Sequence, residues 1–408
     1  MKITSILFII VFSFTLGYSQ TEWTDLGPGN GNNLTCLYMD TQYNRLFAGN
    51  LEGFWYYHFS TQTWTAKVEE GSIGREVRSI TSLPFDANRI ITGRMNAWFK
   101  GYIEVGDTLD NFGEISFSSE GGAITDVQFC PSDPNTLFAC GWSDINPGDL
   151  LRSVDGGFSW QQLTGYYHQA MTSIAINHHC SDSIFLAGDA LVTRSFDGGN
   201  SWETATNGLP AGQGVYSLVI DPYMSNSLLC SNDNGIYRTK NGGDNWELVS
   251  DVCIKHFVYN PQIEGIVSAI SFSPYTLLIS YNHGDTWVDI TGTFPGENMV
   301  DIVFAGDGIR LLLASSTSVF SKDIDLVKTD RIRSTGQILF FPNPARHKIS
   351  FRTDIPLETV HIYNLQGHLV ESKGVFNGQM DISSLAGGIY FLEIISKTQS
   401  FFKKLIVL

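Results

Sequence analysis

Ser195-Phe-Asp197-Gly-Gly199-Asn-Ser-Trp202 is one copy of a pattern that the chain repeats four times. The pattern reads Ser or Thr, any residue, Asp or Asn, any residue, Gly, two more residues, then Trp. The other copies are Ser153-Val-Asp155-Gly-Gly157-Phe-Ser-Trp160, Thr239-Lys-Asn241-Gly-Gly243-Asp-Asn-Trp246 and Ser280-Tyr-Asn282-His-Gly284-Asp-Thr-Trp287. Successive tryptophans stand 42, 44 and 41 residues apart. The residue types suit a tight turn between strands. The Asp or Asn oxygen accepts hydrogen bonds from nearby backbone N–H groups. The Gly takes a positive φ that a side chain would resist. The Trp opens the outgoing strand and wedges a large ring between neighbouring sheets.

Each copy follows two apolar runs, as in Thr172–Ile176 and Ser183–Ala187, and a third run, Leu191–Arg194, leads into the turn. A period near 40 residues with this filling is the length of a four-stranded propeller blade. Degenerate copies precede the four clear ones. Leu37–Met39, Arg45–Ala48 and Phe54–Tyr57 lead to Trp64, and Val77–Ile80, Arg89–Thr92 and Trp98–Lys100 lead toward Phe112. Inner strands are thus expected to begin near 34, 77, 124, 171, 215, 254 and 299. The seventh repeat has Val300–Val303, Arg310–Ala314 and Val319-Phe320 but no turn motif or last strand of its own. Trp23-Thr-Asp-Leu26 resembles the strands after the turns, such as Trp160-Gln-Gln-Leu163. The expected fold is all-β: a seven-bladed β-propeller whose last blade is completed, and whose ring is closed, by residues 21–26. Closure removes the exposed sheet edges that invite aggregation.

Composition agrees. The 408 residues are 43% hydrophobic and 16% charged, with 40 glycines, and no segment sustains a 3.6-residue apolar period, so helix is expected to be scarce. The net charge is −16. With no basic stripe in sight, a nucleic-acid partner is not expected. Lys2 followed by the apolar run Ile6–Phe12 reads as a signal peptide over residues 1–19, cut before Gln20, and no later segment is long and apolar enough to span a membrane. Cys130 and Cys140 flank a short turn, and either a cross-hairpin disulfide or two buried thiols fits an exported chain. His178-His179-Cys180 lacks a second half that would make a metal set, so an ordinary turn is expected there and no metal or cofactor is called for.

The composition changes after about residue 327. The propeller is assigned residues 20–327, a polar linker 328–339 and a second small β domain 340–408. Within it, Pro342-Asn343-Pro344, Ile362-Tyr-Asn364 with Gly367, Leu385 with Gly387-Gly388-Ile-Tyr390, and Lys403-Lys404 come in an order that resembles the type A sorting domain of the Bacteroidetes type IX secretion system. The resemblance implies a small β-sandwich read by the outer-membrane translocon, which would be this chain's export partner. The four turns likewise resemble the Asp-box, or BNR repeat, of the sortilin and sialidase-like superfamily. In that family the boxes are structural and lie away from the ligand. The arginine triad, tyrosine nucleophile and Arg-Ile-Pro segment of sialidases have no counterpart here, and no pair of carboxylates is singled out by spacing. No catalytic residue is therefore named. Ligands of such propellers occupy the face made by loops between blades, which points to Arg75, Trp142, Asp144, Tyr166, Tyr167 and His168 as ligand-binding candidates. The expected role is a non-catalytic binding module for a glycan or a protein. A glycan hydrolase and an envelope assembly factor are the alternatives.

Overall fold

A computed structural model of the chain describes residues 23–28, 33–68, 76–84, 86–96, 100–106, 112–118, 122–143, 148–165, 170–189, 192–272, 274–324, 339–341, 343, 345–352, 357–364, 368–374, 378–396 and 400–407. The expected signal peptide falls outside them, as does the expected linker apart from Leu339. Every regular element among the described residues is a strand.

The repeats fold into seven four-stranded antiparallel sheets. Their first strands are Cys36–Asp40, Glu76–Leu83, Ala123–Cys130, Met171–Ile176, Ser217–Ile220, Ile254–Tyr259 and Met299–Phe304. These start within two residues of the positions read from the repeat. Each first strand packs against the first strand of the next sheet, and Met299–Phe304 packs against Cys36–Asp40, so the seven sheets form a closed ring with these strands innermost. The seventh sheet takes its fourth strand from the other end of the chain. Strand Thr24–Gly27 pairs antiparallel with Val319–Asp323, setting Thr24 opposite Ser321 and Asp25 opposite Phe320.

Apolar side chains fill the seams between sheets. Phe185 and Val192 of the fourth sheet meet Leu218, Leu228 and Trp246 of the fifth in one buried cluster. Strands in such seams are covered on both faces, which is why Leu228–Asn232 and Val267–Ser271 are buried throughout and do not alternate. The tryptophans of the outermost strands reach back across the seams. Trp246 Nε1 donates to Ala205 O at 2.8 Å, Trp64 Nε1 to Leu26 O at 2.7 Å and Trp23 Nε1 to Thr291 O at 2.9 Å.

The six cysteines are free. The register sets Cys130 opposite Asp133 and Cys140 opposite Asp126, so the two are not cross-strand partners; both thiols are buried among apolar neighbours. His178 to Cys180 occupy the turn between Met171–Ile176 and Ile184–Gly188, where the His179 N–H donates to Asn177 Oδ1 at 2.9 Å. Among the described residues no three His, Cys, Asp or Glu side chains gather as a metal set.

Residues 339–407 make two further sheets. One holds Leu339–Phe341, Lys348–Arg352 and Gln379–Asp381; the other holds Leu369–Gly374, Leu357–Tyr363, Gly388–Ser396 and Ser400–Val407. Ile349, Phe351 and Met380 of the first share a core with Val360, Ile362 and Leu392 of the second. The first strand opens at Leu339, one residue before the expected start of the domain.

Candidate binding face

Successive strands of an antiparallel sheet turn back at alternate ends, so each sheet presents two sets of turns. The turns after the first and third strands lie on one side of the ring. The turns after the second strand, with the links from sheet to sheet, lie on the other.

The four boxes lie on the first side, and each builds the same small network. Ser195 Oγ donates to Asp197 Oδ1 at 2.8 Å and accepts the Gly199 N–H at 2.9 Å, while Asp197 Oδ1 accepts the Ser201 N–H at 2.8 Å. Ser153, Thr239 and Ser280 repeat the first two bonds with Asp155 and Gly157, Asn241 and Gly243, and Asn282 and Gly284. The hydrogen bonds to Asp197 hold its carboxyl down at about 2. The second glycine of the box has φ near 90° and sits against the preceding sheet. A Cβ on Gly199 would lie 2.6 Å from Leu163 Cδ1, and one on Gly284 2.7 Å from Leu229 Cδ1. Trp160 and Trp202 donate to the carbonyl of their own box glycine at 3.0 Å.

The fourth box departs from the others. His283 stands where the others have Gly, at φ 60°, and its Nδ1 lies 2.6 Å from the Oδ2 of Asp221, a carboxylate with no solvent exposure in the preceding sheet. Arginines just before the boxes reach in the opposite sense, onto the next sheet. Arg194 meets Gly242 O at 2.6 Å and Asp244 at 2.7 Å, and Arg238 pairs with Asp285. Between these contacts lies a basic pocket of about 590 Å³ lined by Asn226, Ser227, Arg238, Lys240 and His283.

Of the residues expected to bind ligand, Arg75, Asp144, Tyr166, Tyr167 and His168 lie outside the described residues. Trp142 is half-buried at the end of Asp133–Trp142 on the loop side, where its backbone bridges to Ala170.

The same side holds a group that the sequence reading passed over. The link between the fourth and fifth sheets walls a pocket of about 180 Å³ with Leu209, Pro210, Ala211, Gln213 and Val215, and Asn232 closes it from the turn after Leu228–Asn232. Gln213 Nε2 donates to Asn234 Oδ1 at 3.4 Å, and Gln213 Oε1 is buried with no hydrogen-bond partner among the described residues. Beside the pocket, Tyr216 donates its hydroxyl to Asp233, which pushes the phenol up to about 12. Its ring meets Phe272 edge-on, with centroids 5.0 Å apart and planes at 67°. Phe272 and Tyr275 are 37% and 38% exposed, so aromatic surface is on offer here. The signal was present in Gly208-Leu-Pro-Ala-Gly-Gln-Gly214, a Gly- and Pro-rich link between two clear repeats.

The inner strands carry a belt of bonds from sheet to sheet. Ser79 Oγ accepts the Val127 N–H at 3.0 Å, Asp126 Oδ2 the Ile174 N–H at 3.1 Å and Asp301 Oδ2 the Leu37 N–H at 2.7 Å, while Ser173 Oγ donates to Leu218 O at 3.0 Å. His256 Nε2 lies 3.1 Å from Asp301 Oδ1. Burial raises the Asp126 carboxyl to about 6 against these bonds and the nearby His256.

In the C-terminal sheets, Asn343 Oδ1 accepts the Ile406 N–H at 2.8 Å and Tyr390 donates to Ala386 O at 2.9 Å. Lys403 is half-buried opposite Leu392, Gly387 and Gly388 lead into the strand Gly388–Ser396, and Lys404 lies opposite Phe391. Pro342, Pro344 and Gly367 lie outside the described residues.

Residues 339–408 match the secretion system C-terminal sorting domain. The chain therefore carries a type IX sorting domain, which marks it for export to the cell surface or beyond. No curated protein matches the chain in sequence. Two solved structures are similar in fold. YCF48 bound to D1 peptide is 15% identical with a TM-score of 0.56, covering 76% of this chain and 99% of that one. A chain of a mitotic checkpoint complex is also 15% identical with a TM-score of 0.56, covering 80% and 98%. Both neighbours are β-propellers, and the ring of four-stranded sheets is a β-propeller as well.

Proposed function

We propose that the chain is an exported, non-catalytic binding protein: a seven-bladed Asp-box propeller that engages a glycan or protein ligand on its loop face and is carried out of a Bacteroidetes cell by its C-terminal β-sandwich. Residues 1–19 act as the signal peptide, and the sorting domain then addresses the chain to the type IX translocon. The single observation behind the role is the loop-side group of Leu209, Gln213, Tyr216, Asp233 and Phe272, where a pocket that joins the apolar Leu209, Pro210 and Val215 to the polar Thr206, Gln213 and Asn232 lies near exposed aromatic surface and the Tyr216–Asp233 pair on the side opposite the boxes. Such convergence of apolar lining with a few placed polar groups is the usual make-up of a ligand site. A protein ligand gains support from the fold likeness to YCF48, whose structure holds a peptide.

The test is a paired binding and activity screen. The chain is incubated with polysaccharides, sialosides and a peptide array, and both retained protein and released sugar are scored. Retention without release is expected. Released sugar would replace the binding reading with a hydrolase.

A further inference from the structure

The fourth box carries a side chain where the other three have none. Gly156, Gly198 and Gly242 take φ of 74°, 70° and 67° at this position, and His283 takes 60°. A left-handed backbone disfavours a side chain, so a histidine held there against the pattern points to a use. Its Nδ1 lies 2.6 Å from Asp221 Oδ2. The turn around Asp221 does not need that charge. Asp221 Oδ1 accepts the N–H groups of Tyr223 and Met224 at 2.9 and 3.2 Å. In the equivalent turns of the fourth and sixth sheets, the neutral Asn177 and Asn260 accept such bonds at 2.9 Å. The second oxygen of Asp221 therefore serves His283. With Nδ1 fixed, the ring keeps 23% of its side-chain surface exposed and lines the pocket of about 590 Å³ on the box side. The rest of that wall is polar and reachable. Lys240 is 66% exposed and meets Asp285 only at 3.6 Å, Asn226 is exposed and Ser225 is half-buried. Behind them the buried Arg238 also pairs with Asp285, so two cations face one carboxylate. Glu264 is exposed in the turn whose Gly265 carbonyl accepts the His283 N–H at 2.8 Å.

We propose that this box-side pocket binds an acidic sugar residue, taking its anionic group at Lys240, with Arg238 adding charge from behind, and its hydroxyls at His283 Nε2, Ser225 and Asn226. The imidazole nitrogen left free by Asp221 accepts from a hydroxyl, and a serine hydroxyl and an amide both donate and accept. A neutral sugar would leave Lys240 unused, and an acidic peptide has no row of hydroxyls for the other groups. The anion is a carboxylate or a sulfate ester, either of which makes charge-assisted bonds to an ammonium. The site lies on the opposite side of the ring from the loop face and goes beyond the binding role proposed there.

The probes are trigalacturonate, a sulfated lactose, maltotriose and pentaglutamate, each titrated into the full chain by calorimetry. One of the two acidic sugars is expected to bind about tenfold tighter than maltotriose or pentaglutamate, and which of them does so tells carboxylate from sulfate ester. His283→Gly restores the residue of the other boxes and is expected to weaken that binding by about tenfold. Lys240→Gln is expected to weaken it by about two- to fivefold, and Glu264→Gln to tighten it by about twofold. His283→Gly leaves Asp221 buried without its histidine, so melting curves are taken, and the exposed Lys240 keeps the test open if that variant does not fold. Tyr275→Ala, on the loop face, is expected to change nothing. No binding of either acidic sugar, equal binding of maltotriose or pentaglutamate, unchanged affinity in Lys240→Gln, or lost affinity in Tyr275→Ala would overturn the assignment. The loop-face reading fails separately, if ligands from the wider screen bind with no sensitivity to any loop-side substitution.

Discussion

A glycine in a box does two jobs, and they can be separated by mutation. At Gly199 the backbone has φ 87° and the missing Cβ is also the space that Leu163 fills. At Gly212 the φ is 75°, but nothing lies within 4 Å of a would-be Cβ. Gly212→Ala therefore carries only the backbone cost, about 1 kcal/mol. Gly199→Ala adds a clash with a buried side chain and is expected to cost about 2–4 kcal/mol in all. Chemical denaturation of the two variants checks the difference. Asp126 gives a second test at this scale. Its carboxyl keeps its proton up to about 6 in the folded chain against an ordinary 3.8. The folded state is thus favoured below pH 3.8 and loses that advantage as pH climbs through 6. Asp126→Asn is expected to melt higher than the native chain at pH 7 and level with it at pH 4. A melting difference that does not change with pH would show that burial of this charge is not felt.

Elements were legible in the sequence where their bonds are local. Every bond of the box around Asp197 joins residues within one turn, so eight letters define it. The inner strands followed from the spacing of the boxes, even where Trp64 alone marked the repeat. The loop-side group was not legible in the same way. Tyr216 and Phe272 belong to different sheets, and their meeting depends on how adjacent sheets are rotated about the ring. Of the two readings open for Cys130 and Cys140 the buried thiols hold, and the sequence could not choose between them for a related reason. A turn between two thiols says nothing of register, and the pairing sets Cys140 against Asp126. The closing strand is the element most open to test. Trp23 ties it to the sixth sheet through Thr291 and the edge of Phe294, with ring centroids 5.0 Å apart. Trp23→Ala is expected to cost about 1–3 kcal/mol. Removing residues 23–27 leaves Val319–Asp323 as an open edge, so concentration-dependent aggregation seen by light scattering is expected.

The whole molecule joins two parts with separate cores. The apolar clusters of the ring and the cluster around Ile349 and Val360 share no residue. Loss of residues 339–408 is therefore expected to leave the melting transition of the ring in place while stopping delivery to the cell surface. Fractionation of cells making the full and shortened chains checks the second point, and calorimetry the first. Surface delivery of the shortened chain would take the export role away from this domain.

The pairing of Thr24 with Ser321 also sets a clock. A chain made from its N-terminus has this strand almost at once, yet its partner comes only after nearly the whole ring has been synthesised. Contacts so distant in sequence are slow to form, because the intervening loop must be closed before they give anything back. Until then six sheets can stack in order, but the ring stays a crescent with two raw ends. Completion comes as one late event, and a chain stalled or cut before Val319 can never reach it.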